Sequence, residues 1–307
     1  MDFIGLFSGQ GSQKVGMGKD FFDNSKLARE MFAKASDRLD LDFERLLFEE
    51  NDKLALTQFT QPAILLIGAI AYSLFHYQVS QKPKFLLGHS LGEFTALYAS
   101  GSLNYLDALE LVYNRGLLMS NACEGKEAGM MALLGLSDEK TQDLVAEAQN
   151  SNKKIWAANY NCDGQIVLAG DKKDLASMEN YFKENGAKRA ILLNMSVASH
   201  CPLLNVAQDE LKKYLNNFIK DSFEVPVVSN VLAKEYNTKK DAVELLTEQL
   251  IKPVLYKQSI KSVEGKCEVF IEFGGSVLKG INRKITKVPT KSIIDMSSLE
   301  SVISEFQ

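Results

Sequence analysis

The chain has 307 residues, of which 46% are hydrophobic, and a formal net charge of −4 at pH 7. Its length exceeds that of most single domains, so we expect one large domain with an insertion, or two domains. Because the chain lacks the basic excess that neutralises phosphates, its charge argues against a nucleic-acid partner.

The first predicted element is a short buried strand, Phe3–Phe7, which runs into a glycine-rich loop, Ser8–Gln13. We tested this loop for nucleotide-binding motifs. The dinucleotide pattern G-x-G-x-x-G would need a glycine where Lys14 stands, and a Walker loop would need a glycine where Gln13 stands. The loop is therefore expected to bring main-chain N–H groups near a ligand, or simply to turn the chain.

Two helices are predicted next, over residues 24–37 and from Thr60 onward. Thr60 is expected to cap the second helix, with Pro62 in its first turn. This helix is apolar nearly all round, which predicts burial, and its apolar stretch from Pro62 to Phe75 is too short to span a bilayer. With no N-terminal targeting pattern and no C-x-x-C pair among the four cysteines, we expect a cytoplasmic protein with free thiols and no membrane contact.

The stretch Gly88-His89-Ser90-Leu91-Gly92 follows an apolar run and leads into a predicted helix. A serine between two glycines at a strand-to-helix turn is the pattern of a nucleophile elbow. The turn is tight, so the flanking positions tolerate little beyond hydrogen at Cα, and the first amides of the helix can face a developing negative charge. The pattern favours a nucleophilic serine; the alternative is a plain glycine-containing turn.

The region from about 129 to 195 changes character and follows the order β-α-β-β-α-β, which is that of the ferredoxin-like unit. It looks like a small domain inserted into a larger α/β domain. Its predicted elements are strand 130–135, helix 137–148, strands 155–160 and 165–169, helix 174–185 and strand 188–194. The elements predicted after it are helix 203–219, strand 225–229, helix 241–251 and strands 268–273 and 293–294.

A nucleophilic serine needs a base, and the chain has three histidines: His76, His89 and His200. His76 ends an apolar helix, where a packing role is expected. His89 adjoins Ser90, but neighbours on a tight turn point in different directions, so it is expected to support the elbow. His200, in a loop after the predicted insertion, is the best candidate for the base, with a structural role as the alternative.

Arg115 lies on a helix predicted over residues 103–121. An arginine on an amphipathic helix is ordinarily solvated. The apolar neighbours Leu111, Val112, Leu117 and Leu118 indicate instead that part of this helix is buried. A buried arginine needs an anion.

Together these motifs resemble the malonyl-CoA:acyl-carrier-protein transacylases of type II fatty-acid synthesis over essentially the full length. The matching stretches come in the family's order and are Phe7–Gln13, Thr60–Ala63, Gly88–Glu93, Arg115-Gly116, Asn161, Ser199-His200, Gln249-Leu250 and Pro253-Val254. The resemblance implies an α/β-hydrolase-like core with a parallel sheet, residues 1–126 and 197–307, and an inserted ferredoxin-like (βαββαβ) subdomain, residues 127–196.

The resemblance also implies the reaction: the malonyl group passes from malonyl-CoA to the phosphopantetheine thiol of acyl carrier protein through a malonyl-Ser90 intermediate, supplying extender units for fatty-acid synthesis. His200 would be the general base and acid, and the main-chain N–H groups of Gln10 and Leu91 would form the oxyanion hole. The main-chain carbonyl of Gln249 would orient the histidine, giving a Ser–His dyad without an acid. No cofactor and no metal are implied, and a monomer is expected.

By the same resemblance, Arg115 would hold the malonyl carboxylate as a bidentate pair, and Gln61 and Asn161 would line the site. The chain departs from the family in two places. The family often has Gly-Pro-Gly-Lys where this chain has residues 273–276, ending in Gly275-Ser276, which alters the charge near that part of the cleft. Val197-Ala198 replaces the common Val-Pro, which leaves the strictness of malonyl selection open.

Two other functions remain open at this point. A related hydrolase or thioesterase would share the elbow, but it would not need Arg115 to bind an acidic acyl tail. A non-catalytic α/β scaffold would keep the strands but have no reason to combine the four residues Gln10, Ser90, Arg115 and His200. Carrier proteins are typically acidic, so the surface that docks the carrier is expected to be lined by lysine and arginine.

Overall fold

A computed structural model describes residues 1–195 and 197–307. Ser196, the last residue of the predicted insertion, lies outside the described residues. The strands are β1 (Phe3–Phe7), β2 (Leu86–Gly88), β3 (Ala128–Leu134), β4 (Ile155–Cys162), β5 (Gln165–Asp171), β6 (Arg189–Leu192), β7 (Val227–Val228), β8 (Glu235–Tyr236), β9 (Val269–Phe273) and β10 (Thr290–Ile293).

The α-helices are α1 (Lys19–Asn24), α2 (Lys26–Leu39), α3 (Phe43–Phe48), α4 (Thr57–Gln78), α5 (Gly92–Ala99), α6 (Tyr105–Cys123), α7 (Asp138–Asn150), α8 (Lys172–Ser177), α9 (Glu179–Glu184), α10 (Gln208–Phe218), α11 (Lys239–Gln249), α12 (Tyr256–Val263), α13 (Val277–Asn282) and α14 (Met296–Ile303). Short 3₁₀ turns cover Lys53–Ala55, Pro202–Ala207 and Glu264–Lys266. The helix predicted over 203–219 therefore begins as a 3₁₀ turn and becomes an α-helix only at α10.

A six-stranded sheet runs in the order β10-β9-β1-β2-β7-β8, and all its pairs are parallel except β7 with β8. Successive side chains of β1 enter different cores: Phe3 and Phe7 pack on one face of the sheet, whereas Ile4 and Leu6 pack on the other. Burial on both faces is what a parallel sheet covered by helices requires, and it explains why β1 is an unbroken apolar run. The predicted mixed α/β class with a parallel sheet is confirmed.

Helix α4 corrects two predictions. It begins three residues before Thr60, so Thr60 is not its cap; the Thr60 hydroxyl instead donates to the carbonyls of Leu54 (2.7 Å) and Leu56 (3.0 Å), and Pro62 lies in the second turn. With 22 residues, α4 is also long and apolar enough to cross a bilayer, so the prediction that its apolar stretch is too short to span one is wrong. Most of the helix is buried inside the protein, which identifies it as a core helix.

A second, antiparallel sheet runs in the order β4-β5-β3-β6 and is formed from Ala128 to Leu192. The helix predicted over 174–185 is divided into α8 and α9. Main-chain hydrogen bonds from Tyr160 to Val254 (2.9 Å) and from Val254 to Ala158 (2.8 Å) tie β4 to the rest of the protein. The end of β4 is thereby held beside the first sheet.

Four parallel strands, β1, β2, β7 and β9, end at the same edge of the large sheet. The loops that follow them carry Ser8–Gln10, His89-Ser90, Ser229-Asn230 and Gly274-Gly275. In an open α/β sheet, the carboxyl ends of the strands are where ligands bind. The candidate site lies at this edge, beneath the end of β4.

Candidate active site

Ser90 sits in a strained turn between two glycines. Its φ is 53°, in the left-handed region that non-glycine residues rarely adopt. A Cβ atom at Gly88 would lie 1.8 Å from the carbonyl carbon of Gly92, and one at Gly92 would lie 2.0 Å from the carbonyl oxygen of Phe7. The expectation that both flanking positions tolerate only hydrogen is confirmed.

Asn230, in the loop that follows the neighbouring strand β7, holds this turn. The main-chain N–H of Ser90 donates to the Asn230 Oδ1 atom (2.7 Å), and the Asn230 Nδ2 atom donates to the carbonyl of Gly88 (2.7 Å). Asn230 was not among the site residues predicted from the sequence. Its position just beyond β7 could have indicated a role in the site, because polar side chains that follow adjacent parallel strands meet at one edge of the sheet.

Ser90 and His200 are hydrogen-bonded. The Ser90 Oγ atom lies 2.7 Å from the His200 Nε2 atom, and the His200 Nδ1 atom lies 2.6 Å from the carbonyl oxygen of Gln249. A carbonyl only accepts, so Nδ1 carries the proton and Nε2 is free to accept from the serine hydroxyl. Burial, helped by the positive charge of Arg115, lowers the pKa of His200 to about 3. The imidazole is therefore neutral at physiological pH, as a base must be.

The other two histidines lie elsewhere. His76 stacks on Tyr72, with ring centroids 5.7 Å apart. The His89 Nε2 atom is 2.8 Å from the Asn161 Oδ1 atom, and its enclosed position lowers the pKa of His89. His89 thus joins the elbow to the end of β4, in line with its expected supporting role. In the part of the chain that the structure describes, no group of three or more potential ligand side chains could hold a metal ion.

Arg115 is 1% exposed, so the solvated-helix interpretation is wrong. Its Nη1 atom donates to the Gln61 Oε1 atom (2.8 Å), and its Nη2 atom donates to the Gln249 Oε1 atom (2.9 Å). Nη2 also lies 3.3 Å from the Ser90 Oγ atom. Burial lowers the pKa of Arg115 to about 10, which still leaves a cation at neutral pH.

These groups surround a cavity of about 150 Å³. The predicted site residues that line it are Gln10, Ser90, Leu91, Arg115, Asn161 and His200. Gln61 is fully buried and contacts Arg115 from behind, so the structure places it as a support for the guanidinium. The sequence analysis missed the apolar wall of the cavity, which consists of Met119, Met130, Val167, Leu193 and Met195. A wall of this kind offers no periodic signal, because its members come from three elements, α6, β3 and β5, and from the loop after β6.

Two main-chain N–H groups at the cavity are available to a ligand. Within the described residues, neither the Gln10 nor the Leu91 N–H donates a hydrogen bond. Leu91 directly precedes α5, so the positive end of the helix dipole would also stabilise a negative charge beside its N–H group. Gly9 allows the first loop to approach the elbow, since a Cβ there would lie 2.3 Å from the carbonyl oxygen of His89. Unpaired N–H groups at a cavity suit a developing oxyanion.

The departure at residues 275–276 lies beside this cavity and not in it. The Ser8 hydroxyl donates to buried Glu272 (2.6 Å), and a Cβ at Gly275 would lie 2.5 Å from the Ser8 Oγ atom. Ser276 lines a neighbouring groove together with Lys14. The other departure, Val197-Ala198, is buried.

Comparison with known proteins places the chain in a family. Residues 4–287 match the family model described as an acyl transferase domain. The chain is 38% identical over 303 residues to the malonyl CoA-acyl carrier protein transacylase of Bacillus subtilis (strain 168), covering 97% of this chain and 95% of the relative. It is 35% identical over 285 residues to the protein of the same name from Staphylococcus aureus (strain COL), covering 92% of each.

Comparison with solved structures points to the same family. The malonyl-CoA:acyl carrier protein transacylase of Helicobacter pylori superposes with a TM-score of 0.96 at 44% identity, covering 100% of this chain and 98% of that one. A malonyl-transacylase solved in complex with a type II PKS acyl-carrier protein superposes with a TM-score of 0.95 at 30% identity, covering 99% and 100%. The chain therefore belongs to the malonyl CoA-acyl carrier protein transacylase family.

Proposed function

We propose that this protein transfers the malonyl group of malonyl-CoA to the phosphopantetheine thiol of acyl carrier protein, supplying extender units for fatty-acid synthesis. The observation that carries the proposal is the convergence of two groups on one oxygen. The Ser90 Oγ atom is 2.7 Å from a neutral imidazole of His200 and 3.3 Å from the guanidinium of Arg115. The imidazole of His200 can accept the proton of a nucleophilic serine, and the guanidinium of Arg115 can bind a substrate that carries a carboxylate.

In the first half-reaction, the Ser90 Oγ atom bonds to the thioester carbonyl carbon and its proton passes to the His200 Nε2 atom. The carbonyl oxygen becomes an oxyanion, which the N–H groups of Gln10 and Leu91 would stabilise. Collapse breaks the carbon–sulfur bond, and the leaving thiolate of coenzyme A takes the proton from His200. The carbonyl of Gln249 keeps the imidazolium oriented while it exists.

In the second half-reaction, the carrier's phosphopantetheine thiol gives its proton to the His200 Nε2 atom and its sulfur attacks the malonyl-Ser90 ester. The same N–H pair receives the new oxyanion. Collapse breaks the ester bond, and the Ser90 oxygen recovers the proton from His200. The two half-reactions are chemical mirror images, so one histidine and one oxyanion hole serve both.

Arg115 would set the choice of acyl group. The malonyl carboxylate is only two carbon–carbon bonds from the carbonyl carbon, which fits the short distance between the guanidinium and Ser90. Gln61 and Gln249 hold the guanidinium through neutral oxygens, and the planar fork matches both carboxylate oxygens. Asn161 would line the acyl site from the opposite side.

We propose an α/β-hydrolase-like core, residues 1–126 and 197–307, with a ferredoxin-like insertion at 127–196. The antiparallel order β4-β5-β3-β6 supports this interpretation of the small sheet. We also propose a cytoplasmic monomer that contacts neither nucleic acid nor membrane, and that uses no cofactor and no metal, because serine, histidine and the thioester supply every bond that changes.

One experiment separates this function from its alternatives. The protein is incubated with malonyl-CoA, and its intact mass is followed with and without acyl carrier protein. We expect a malonyl adduct on Ser90 that persists without the carrier and disappears, with malonyl appearing on the carrier, when the carrier is added. Free malonate without an adduct would indicate a hydrolase, and no reaction would indicate a scaffold; either result contradicts the proposal.

A further inference from the structure

Glu93 is a buried carboxylate behind the elbow that the proposed reaction does not use. It is 1% exposed and accepts three hydrogen bonds. They come from the main-chain N–H of Asn230 (3.0 Å), the Gln249 Nε2 atom (2.8 Å) and the hydroxyl of Tyr236 (3.0 Å). Burying a carboxylate is costly even when it is hydrogen-bonded, so a site that contains one needs a reason for it.

The side chain of Gln249 connects this carboxylate to Arg115. Its Nε2 atom donates to Glu93, and its Oε1 atom accepts from the Arg115 Nη2 atom (2.9 Å). If the amide turned over, its N–H groups would face the guanidinium, donor against donor, and its oxygen would face the carboxylate, acceptor against acceptor. Glu93 therefore determines which end of the amide meets Arg115, together with the main-chain carbonyl of Ser90, which also accepts from the Gln249 Nε2 atom (3.2 Å).

When ionised, Glu93 also supplies a negative charge without blocking the guanidinium. Within the described residues, the two Nη atoms of Arg115 donate to Gln61, Gln249 and Ser90 and to no carboxylate. The charge of Glu93 nevertheless reaches Arg115 across one amide and raises its pKa, against the effect of burial. A carboxylate in direct contact would compete with the substrate for the same donors.

The catalytic histidine depends on a different part of Gln249. His200 donates to the main-chain carbonyl of Gln249, whereas Glu93 and Arg115 contact its side-chain amide. A change confined to the side chain therefore leaves the support of His200 in place. The two roles of Gln249 can be separated by experiment.

We propose that Glu93 is a positioning residue for substrate selection: it fixes the side-chain amide of Gln249, which holds Arg115 ready for the malonyl carboxylate. This inference rests on the proposed malonyl transfer and assigns a function to a carboxylate that touches neither substrate nor nucleophile. It predicts an effect on the choice between malonyl and acetyl groups, and little effect on the reactivity of Ser90.

The test compares kcat/KM for loading of Ser90 by malonyl-CoA and by acetyl-CoA in Glu93→Gln. The new side chain offers one neutral oxygen to three donors, and hydrogen bonds to a neutral acceptor are weaker than those to a carboxylate. The Tyr236 hydroxyl can turn to accept from the new amide, so we expect a folded protein. The ratio of malonyl to acetyl loading should fall about fivefold, in the range measured for coupled neighbours, while kcat for acetyl loading stays within about twofold.

Two further variants make the test specific. Tyr236→Phe removes a hydrogen bond from the oxygen of Glu93 that Gln249 does not use, and this loss raises the pKa of Glu93 further. Assayed at a pH well above 7, where Glu93 stays ionised, the variant should be less stable and leave the ratio unchanged. Gln249→Leu should lower the ratio by itself, and adding Glu93→Gln to it should change the ratio no further. Thermal unfolding of each variant confirms that folded proteins are compared.

An unchanged ratio in folded Glu93→Gln, an equal fall in Tyr236→Phe, or additive effects of Glu93→Gln and Gln249→Leu would each overturn the proposal. If Glu93→Gln fails to fold, an unchanged ratio in Gln249→Leu still overturns it. Failure of the proposed function would look different: the wild-type protein would take up no malonyl group at all, and both proposals would fall together.

Discussion

The nucleophile elbow, residues 88–92, comes from one short stretch of chain, whereas the side chains around the guanidinium of Arg115 come from separate helices. Gln61 lies on α4, Arg115 on α6 and Gln249 at the end of α11. The shape of the elbow depends on the left-handed backbone conformation of Ser90 and on the absence of a Cβ atom at Gly88 and Gly92. The guanidinium owes its position to hydrogen bonds across the core. In our proposal the first region supplies reactivity and the second supplies selectivity, so changes in the two regions should have different signatures.

The largest effect is expected from Ser90→Ala. In our account the Ser90 hydroxyl forms the covalent intermediate, so the variant should show no malonyl adduct by intact mass and no transfer to acyl carrier protein. Its thermal unfolding should remain cooperative, because the Gly88 and Gly92 contacts that shape the turn are unchanged. A persistent adduct in this variant would show that the elbow does not carry the nucleophile.

His200→Ala should come next, with a loss on the order of 10³-fold in both acylation and transfer. In our proposal the imidazole takes the proton of Ser90 in one half-reaction and that of the thiol in the other. Single-turnover loading and transfer are measured separately, with His89→Ala as the matched histidine control. A severe defect in His89→Ala together with a mild one in His200→Ala would reverse the assignment of the base.

Much of the elbow could be predicted from the sequence, because its determinants are neighbours in the chain. The glycine positions, the strand before them and the helix after them are all visible in one stretch. The alternation of strands and helices likewise sufficed for the α/β class. Helix ends were less predictable: α4 begins at Thr57 because Leu56 has an extended backbone, and no side-chain cap marks that start.

The network around Arg115 could not be predicted from spacing. Gln249 and Glu93 are 156 residues apart in the chain, and only the packing of α11 against the elbow brings them together. Glu93 directly follows the Gly88–Gly92 motif in the sequence, but its role depends on contacts with Gln249, Asn230 and Tyr236 that the sequence does not show. Asn230 was missed for the same reason. Resemblance supplied Arg115 and the main-chain role of Gln249, but not the side-chain bridge between Arg115 and Glu93.

A smaller effect is expected on the pH dependence of malonyl loading, because His200 beside the elbow and Glu93 near Arg115 titrate at different pH. Burial lowers the pKa of His200 to about 3, and burial raises the pKa of Glu93 to about 7 against the hydrogen bonds of Asn230, Gln249 and Tyr236 and the charge of Arg115. A base is active when deprotonated, so a lowered pKa moves the acid limb of the rate to lower pH. In Glu93→Gln, which lacks the carboxylate, the malonyl loading rate should be flat from about pH 5 to about pH 8.

In the wild-type protein, the pH profile of malonyl loading should show one inflection that the profile of Glu93→Gln lacks. Below about pH 7, protonation of Glu93 weakens the hydrogen bond that it accepts from the Gln249 amide and so loosens the support of Arg115. The kcat/KM for malonyl-CoA should therefore decline there while the variant stays level. Stopped-flow loading across the pH range checks both profiles. An inflection near pH 6.5 in Glu93→Gln would contradict the lowered pKa of His200.

The separation of reactivity from selectivity is tested most directly by Arg115→Ala, through kcat/KM for malonyl-CoA and for acetyl-CoA. In our proposal the buried guanidinium pairs with the malonyl carboxylate and is left without a carboxylate partner by acetyl. Its loss should therefore lower malonyl loading about a hundredfold or more and lift the penalty on acetyl. Arg115→Lys should restore malonyl loading only in part, because a point charge lacks the planar fork. We predict a collapse of the malonyl-to-acetyl ratio with Ser90 still reactive; an unchanged ratio would contradict the account.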